Sequence, residues 1–280
     1  MSYRTLAVIV TDQMADAAAL NAAGALAARD KAHLDVFCIG IDPARYEPLP
    51  AGSAAFVLDA ANDEARDRAD ELVTWVEAQL AGAAFPFAVQ GSVVPHLGLD
   101  TAVSRLARYC DLIVAARPYG GDATQVQVSV LEAALFGTGA PILVVPPGDL
   151  DLSDPFGRPM IAWNESDECL DTVRKALPLL QAADLTDIVM VDPPAHSPER
   201  SDPGGSLCIM LGRQGVRGEV SILARSMPRV SEVLNRYARE HGSDLIVMGA
   251  YGHSRFREAI LGGATREMLE NAQVPVLMSH

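Results

Sequence analysis

The sequence predicts an α/β protein made of two tandem doubly wound parallel-sheet domains. Three observations predict it. Short apolar runs alternate with helical stretches along the whole chain, the same order of elements occurs twice, and DLIVAA (111–116) returns as DLIVMG (244–249). Apolar strands separated by helices require parallel sheets covered on both faces and joined by right-handed crossovers. At 280 residues, 49% apolar and 21% charged, the chain has the length and balance for two ordinary cores.

In the first half TLAVIV (5–10) reads as a buried strand and residues 12–29 as an alanine-rich helix. HLDVFCIG (33–40) is a second strand, residues 62–80 a long helix and FAVQGSVV (87–94) a third strand. Leu99, Val103 and Leu106 form a helical stripe, followed by DLIVAA, a helix through residues 129–136 and the strand PILVVP (141–146). Residues 147–158, polar and holding two prolines and two glycines, link the halves, so the domains are expected at 1–147 and 158–280.

The second half begins again at PMIAWN (159–164), with Leu170, Val173, Leu177 and Leu180 on one helix face. DIVMV (187–191), a Pro, Gly and Ser-rich connection, a short helix at 206–214 and EVSILA (219–224) follow. Val230, Val233, Leu234 and Tyr237 mark another helix, leading to DLIVMGA (244–250), a glycine segment, a helix at 264–270 and PVLMS (275–279).

A formal charge of −14 argues against nucleic-acid partners, because a polyanion is repelled before specific contacts form. Small anions are still admissible, since local backbone dipoles outweigh distant net charge. No apolar run reaches the eighteen or so residues a bilayer requires, and the start MSYRTLAVIV lacks the basic and apolar regions of a leader. The expectation is a cytoplasmic protein with no membrane partner. Cys38, Cys110, Cys169 and Cys208 are widely separated, with no metal-ligand spacing, and read as reduced thiols; no metal site is assigned. The histidines are scattered, and neither a G-x-S-x-G elbow nor a P-loop is present, so no catalytic residue is assigned.

The most informative stretch is DLIVMGAYGHSRFREAILGGAT (244–265), where Gly249 and Gly252 precede a nine-residue spacer and the pair Gly262 and Gly263. Glycines let backbone amides approach an anion, and a following helix offers the positive end of its dipole. A purely structural explanation stands beside this one: a strand end at Gly249, a turn at Gly252 and a close helix entry at Gly262 and Gly263.

This G-x2-G-x9-G pattern resembles the nucleotide signature of universal stress proteins, and the resemblance covers nearly the whole chain as two tandem domains. It implies a Rossmann-like, adenine nucleotide alpha hydrolase-like fold that binds an adenine nucleotide, ATP in the first instance, and acts in stress response by binding or signalling. It also implies a site of Ala162, Trp163 and Asn164 at the first strand end, with Asn164 in the usual place of an acidic ribose ligand, and Val191 against the adenine. Met248, Gly249, Gly252, His253, Gly262, Gly263, Ala264 and Thr265 complete the set. Arg255 and Arg257 lie in the spacer, where they suit either phosphate or solvent. Two positions depart from the pattern: Gly263 stands where Ser or Thr is usual, and Glu165 where glycine is frequent.

The first half keeps Asp12 at the matching strand end but has Ala116 and Tyr119 for the first two glycines, and Val128 or Ser129 for the later one. It is expected to bind nucleotide weakly or not at all. The resemblance further implies an intramolecular pseudo-dimer through PILVV and PVLMS, and leaves room for a homodimer. Two competing readings are a nucleotide-independent, chaperone-like interaction protein and a slow ATPase; magnesium is left open.

Overall fold

The structure, a computed structural model, describes residues 2–42, 54–120, 123–148, 150–193, 201–250 and 263–280; the side chains of 54–61 stay outside that description. Ten strands and eight α-helices occur among the described residues. The first group is β1 (Thr5–Val10), α1 (Gln13–Asp30), β2 (His33–Asp42), α2 (Ala54–Gln79), β3 (Phe87–Pro95), α3 (Leu99–Ala107), β4 (Leu112–Ala116), α4 (Gln125–Gly137) and β5 (Ile142–Val145). The second is β6 (Pro159–Ala162), α5 (Asp167–Leu180), β7 (Thr186–Val191), α6 (Gly205–Arg213), β8 (Gly218–Leu223), α7 (Val230–His241), β9 (Leu245–Gly249), α8 (Gly263–Asn271) and β10 (Val276–Ser279).

The chain divides into two compact units, Tyr3–Ala140 with Pro147–Asp151, and Pro141–Pro146 with Leu152–His280. In the first unit the strand order is β3-β2-β1-β4, all parallel. In the second it is β5-β10-β9-β6-β7-β8, parallel except for the antiparallel pair of β5 with β10, where Leu143 faces Leu277. The opening strand of each repeat, β1 or β6, therefore lies between the second and fourth strands, and the winding reverses beside it. This is the doubly wound arrangement the sequence predicts.

Side chains explain why the repeat starts with aspartate. Asp111 Oδ2 accepts hydrogen bonds from the amides of Arg4 (2.7 Å) and Thr5 (3.0 Å), fastening the entry to β1. Asp244 does the same for β6, its carboxylate accepting from Gly157 N at 2.6 Å and Arg158 N at 3.1 Å. Arg158 then forks onto Asp187, which is 1% exposed, at 2.8 and 3.2 Å. Between these fasteners the strands are apolar throughout: Leu6, Val8, Leu112 and Val114 in one unit, and Ile161, Ile188, Val247 and Leu277 in the other, have no solvent exposure. Each such side chain contributes about 1.5–3 kcal/mol.

Three boundaries differ from the expected ones for local reasons. Helix α2 starts at Ala54 instead of residue 62, because AAFVLDAA contains good helix formers and no Gly or Pro stop. Helix α4 starts at Gln125, before the expected residue 129, because Thr124 and Gln127 form a reciprocal capping box. Strand β6 ends at Ala162, although Trp163 N still donates to Val189 O at 2.9 Å, so Asn164 is the first residue free of the ladder. Among the described residues no helix is long and apolar enough to cross a membrane.

Candidate functional site

Strands β7, β6 and β9 are hydrogen-bonded neighbours, so their carboxyl ends sit side by side. Val191, the run Ala162, Trp163 and Asn164, and the pair Met248 and Gly249 are thereby brought to one rim from three stretches of sequence. Gly263, Ala264 and Thr265 form the first turn of α8, in the crossover from β9 to β10. Gly252, His253 and Gly262, together with Arg255 and Arg257, lie outside the described residues.

Asn164 is exposed, and its Oδ1 accepts from Ser166 N at 3.2 Å. Its Nδ2 has no protein partner among the described residues, which leaves a donor for a ligand hydroxyl. Glu165 next to it has φ +59°, the left-handed region that glycine enters without strain. The chain then turns sharply into α5, where Ser166 caps the helix by accepting from Cys169 N at 3.2 Å.

That turn accounts for Gly249. A Cβ there would lie 2.5 Å from Cys169 N and 2.9 Å from Cys169 Cα, both backbone atoms of the first turn of α5. Close passage of β9 against α5 thus requires glycine whether or not an anion binds. Gly263 shows no such demand among the described residues, where its Cβ would meet only Glu267 Oε1, at 3.9 Å. Cys169 is fully buried, its Sγ donating to Ala162 O at 3.4 Å. Burial pushes its thiol up to about 11, outweighing the backbone amides of Gly249 and Asn164, so it is a poor nucleophile.

Trp163 is 9% exposed, and its buried Nε1 has no hydrogen-bond partner among the described residues. A buried N–H without an acceptor is costly, and its position at the rim suits a ligand acceptor. Asp192, next to Val191, has φ +45° and its Oδ1 accepts from Arg225 N at 3.1 Å, tying the ends of β7 and β8 together. An aspartate between an apolar strand and a Pro-Pro pair suits this turn.

At the equivalent place in the first unit the strand-end side chains are engaged with one another, beside a cleft of about 530 Å³ lined by Asp12, Gln13, Met14, Arg68, Glu71 and Leu72. Asp12 Oδ1 caps α1 by accepting from Met14 N and Ala15 N, and its Oδ2 meets Arg68 at 3.3 Å. Behind it Gln127 Nε2, from the start of α4, donates to Thr11 Oγ1 at 3.0 Å, while Thr11 donates through N and Oγ1 to the buried Asp16. Gln127, Thr11 and Asp16 are all buried. The helix after β4 is thus drawn onto the end of β1 by a satisfied polar network.

A family model described as the Universal stress protein family matches residues 156–280. A universal stress protein from Synechocystis is 32% identical over 90 residues, which is 32% of this chain and 30% of that protein. The match therefore spans less than a third of that curated relative. Among solved structures, a universal stress protein from Archaeoglobus fulgidus covers 98% of this chain and 95% of its own, with TM-score 0.70 and 15% identity. A functionally unknown protein from Pseudomonas aeruginosa covers 99% and 92%, with TM-score 0.59 and 15% identity. At this identity both likenesses speak for the fold alone, and they extend it across both halves.

Proposed function

We infer, because this chain belongs to the universal stress protein family, that its C-terminal unit binds an adenine nucleotide, ATP in the first instance, and that it serves stress response by binding or signalling. The observation that carries this reading is the contrast between the two switch points. At one, Gln127 is hydrogen-bonded to Thr11 and Asp12 is committed to the cap of α1 and to Arg68, whereas the other offers Asn164 Nδ2 and the buried Trp163 Nε1 without protein acceptors among the described residues. Orphaned donors at the carboxyl edge of a doubly wound sheet suit a ligand rich in hydroxyls and ring nitrogens.

In this reading Asn164 meets the ribose, Val191 lies along the adenine, and Ala162, Trp163 and Met248 border the nucleoside. The phosphates lie towards Gly249, Gly252 and His253, and towards the amides of Gly262, Gly263, Ala264 and Thr265, where the dipole of α8 favours negative charge. Glu165 works against this by placing a carboxylate beside Asn164. Turnover forms no part of the proposal.

Titrating ATP by calorimetry and by tryptophan fluorescence, with and without EDTA, tests it. A saturable signal is expected, weakened about tenfold in Asn164→Ala by loss of one hydrogen bond. Gly263→Ser, which the space around Gly263 admits, is expected to tighten binding by adding a hydroxyl at the helix start. No saturable signal by either method would favour a nucleotide-independent interaction protein.

A further inference from the structure

Within the C-terminal unit a second cleft, of about 650 Å³, runs between α7 and the connection from α8 to β10. One wall carries Glu232, Asn235 and Arg239, which recur on one side of α7 at helical spacing, with Arg229 at the N-cap, where its N donates to Glu232 Oε2 at 3.3 Å; the other carries Asn271 and Gln273. Its floor includes Ser243, just past the left-handed Gly242 that ends α7. The volume is that of a site for a small organic molecule.

The observation that separates this cleft from a mere gap between helices is the hydroxyl of Ser243. The residue is 5% exposed, lines the cleft, and its Oγ has no hydrogen-bond partner among the described residues. A hydroxyl withdrawn from water without a partner is unfavourable unless something else supplies one. Around it the polar groups are only partly engaged. Arg239 Nε donates to Asn235 O at 3.4 Å and pairs with no carboxylate among the described residues. Gln273 Nε2 donates to Asn271 O at 3.0 Å, and Asn271 Nδ2 to Glu267 O at 2.8 Å, leaving both side-chain carbonyl oxygens as acceptors. At the other end Arg229 is held at 3.4 Å from Glu267, so its charge is already matched.

Ser243, Gln273 and the last turn of α7 gather where the chain enters β9 and β10, at the amino ends of the strands. This end is opposite the rim discussed above, whereas the other end of the cleft, at Arg229 and Ser231, reaches Glu267 of α8. We propose that it is a second ligand site, taking a small organic oxyanion, carboxylate or phosphate, whose charged group lies on Arg239 with Ser243 Oγ and whose hydroxyl or amine donors meet Asn271 and Gln273. The exposed Arg239 and the hydroxyl of Ser243 line the same cleft, and a guanidinium fork with a hydroxyl matches the planar oxygens of such a group.

The test follows backbone amide resonances of the full chain while succinate and, separately, inorganic phosphate are added; the two arms distinguish the carboxylate from the phosphate. The expected result is a saturable shift at Ser243 and Asn271 with one of them, weakened at least tenfold in Arg239→Gln and in Ser243→Ala. Because Ser243→Ala removes a hydroxyl with no partner among the described residues, the empty variant is expected to melt at or above the parent temperature. Shifts that do not saturate with either probe, or that persist unchanged in both variants, would overturn the proposal. So would a lowered melting temperature for Ser243→Ala, which would mark the hydroxyl as structural.

Discussion

Two neighbouring positions show how backbone space decides what a residue is for. Gly249 has no room for a methyl group, since the obstructing atoms belong to the α5 backbone and cannot swing aside. Gly249→Ala is therefore expected to destabilise the protein by about 2 kcal/mol, as overpacking does, read as a lower urea midpoint with unchanged slope. Glu165 is the converse case, a bulky residue held at φ +59°. Glu165→Gly is expected to gain about 1 kcal/mol by relieving that conformation, and to tighten ATP binding by removing a carboxylate from the rim. A loss of stability in Glu165→Gly, measured the same way, would show that its side chain holds the turn.

At the level of elements, the turn from β1 into α1 is built on a buried acid. Asp16 Oδ2 accepts from Thr11 N, Thr11 Oγ1 and Asp12 N, at 2.7, 3.1 and 3.0 Å. Burial raises its pKa from 3.8 despite those hydrogen bonds, and the nearby charge of Asp12 adds to the rise. A carboxyl raised on folding holds its proton more tightly in the native state than in the unfolded chain. The stability it lends is fully present below the unfolded value and is lost as pH climbs through the raised one. Asp16→Asn is expected to remove this part of the pH dependence, so the stability difference between parent and variant should shift steadily in favour of the variant as pH rises. Parallel pH profiles from denaturant melts check this; identical slopes would contradict it.

Over the whole molecule, the two units repeat one order of strands around unlike switch points. At the strand ends of the N-terminal unit Gln127 holds Thr11, and Asp12 is committed to capping α1 and to Arg68. ATP binding is accordingly expected with a calorimetric stoichiometry of about one per chain, in line with one receptive rim. About two per chain would mean that the polar network opens readily. Burial pushes the Cys38 and Cys110 thiols up to about 12, against the ordinary value of 9.0, so neither is a ready thiolate.

The elements, their order and their repetition were legible in the sequence because each is encoded locally. An apolar run such as DLIV can be satisfied in few ways other than as a buried strand, and a Thr or Ser ahead of a helical stretch supplies its own cap. The position of Asn164 and Val191 at the carboxyl edge was legible too, since the end of a strand marks that edge of a parallel sheet. Other roles depended on partners far away in the chain. Gln127 holds Thr11, 116 residues earlier, and Gly249 is glycine because of a helix turn some eighty residues before it. Spacing cannot separate a glycine that admits an anion from one that admits a neighbouring backbone, because both demand only the absence of a Cβ. The sequence alone determined where strands and helices form; the tertiary structure decided which gaps between them the protein fills with its own atoms.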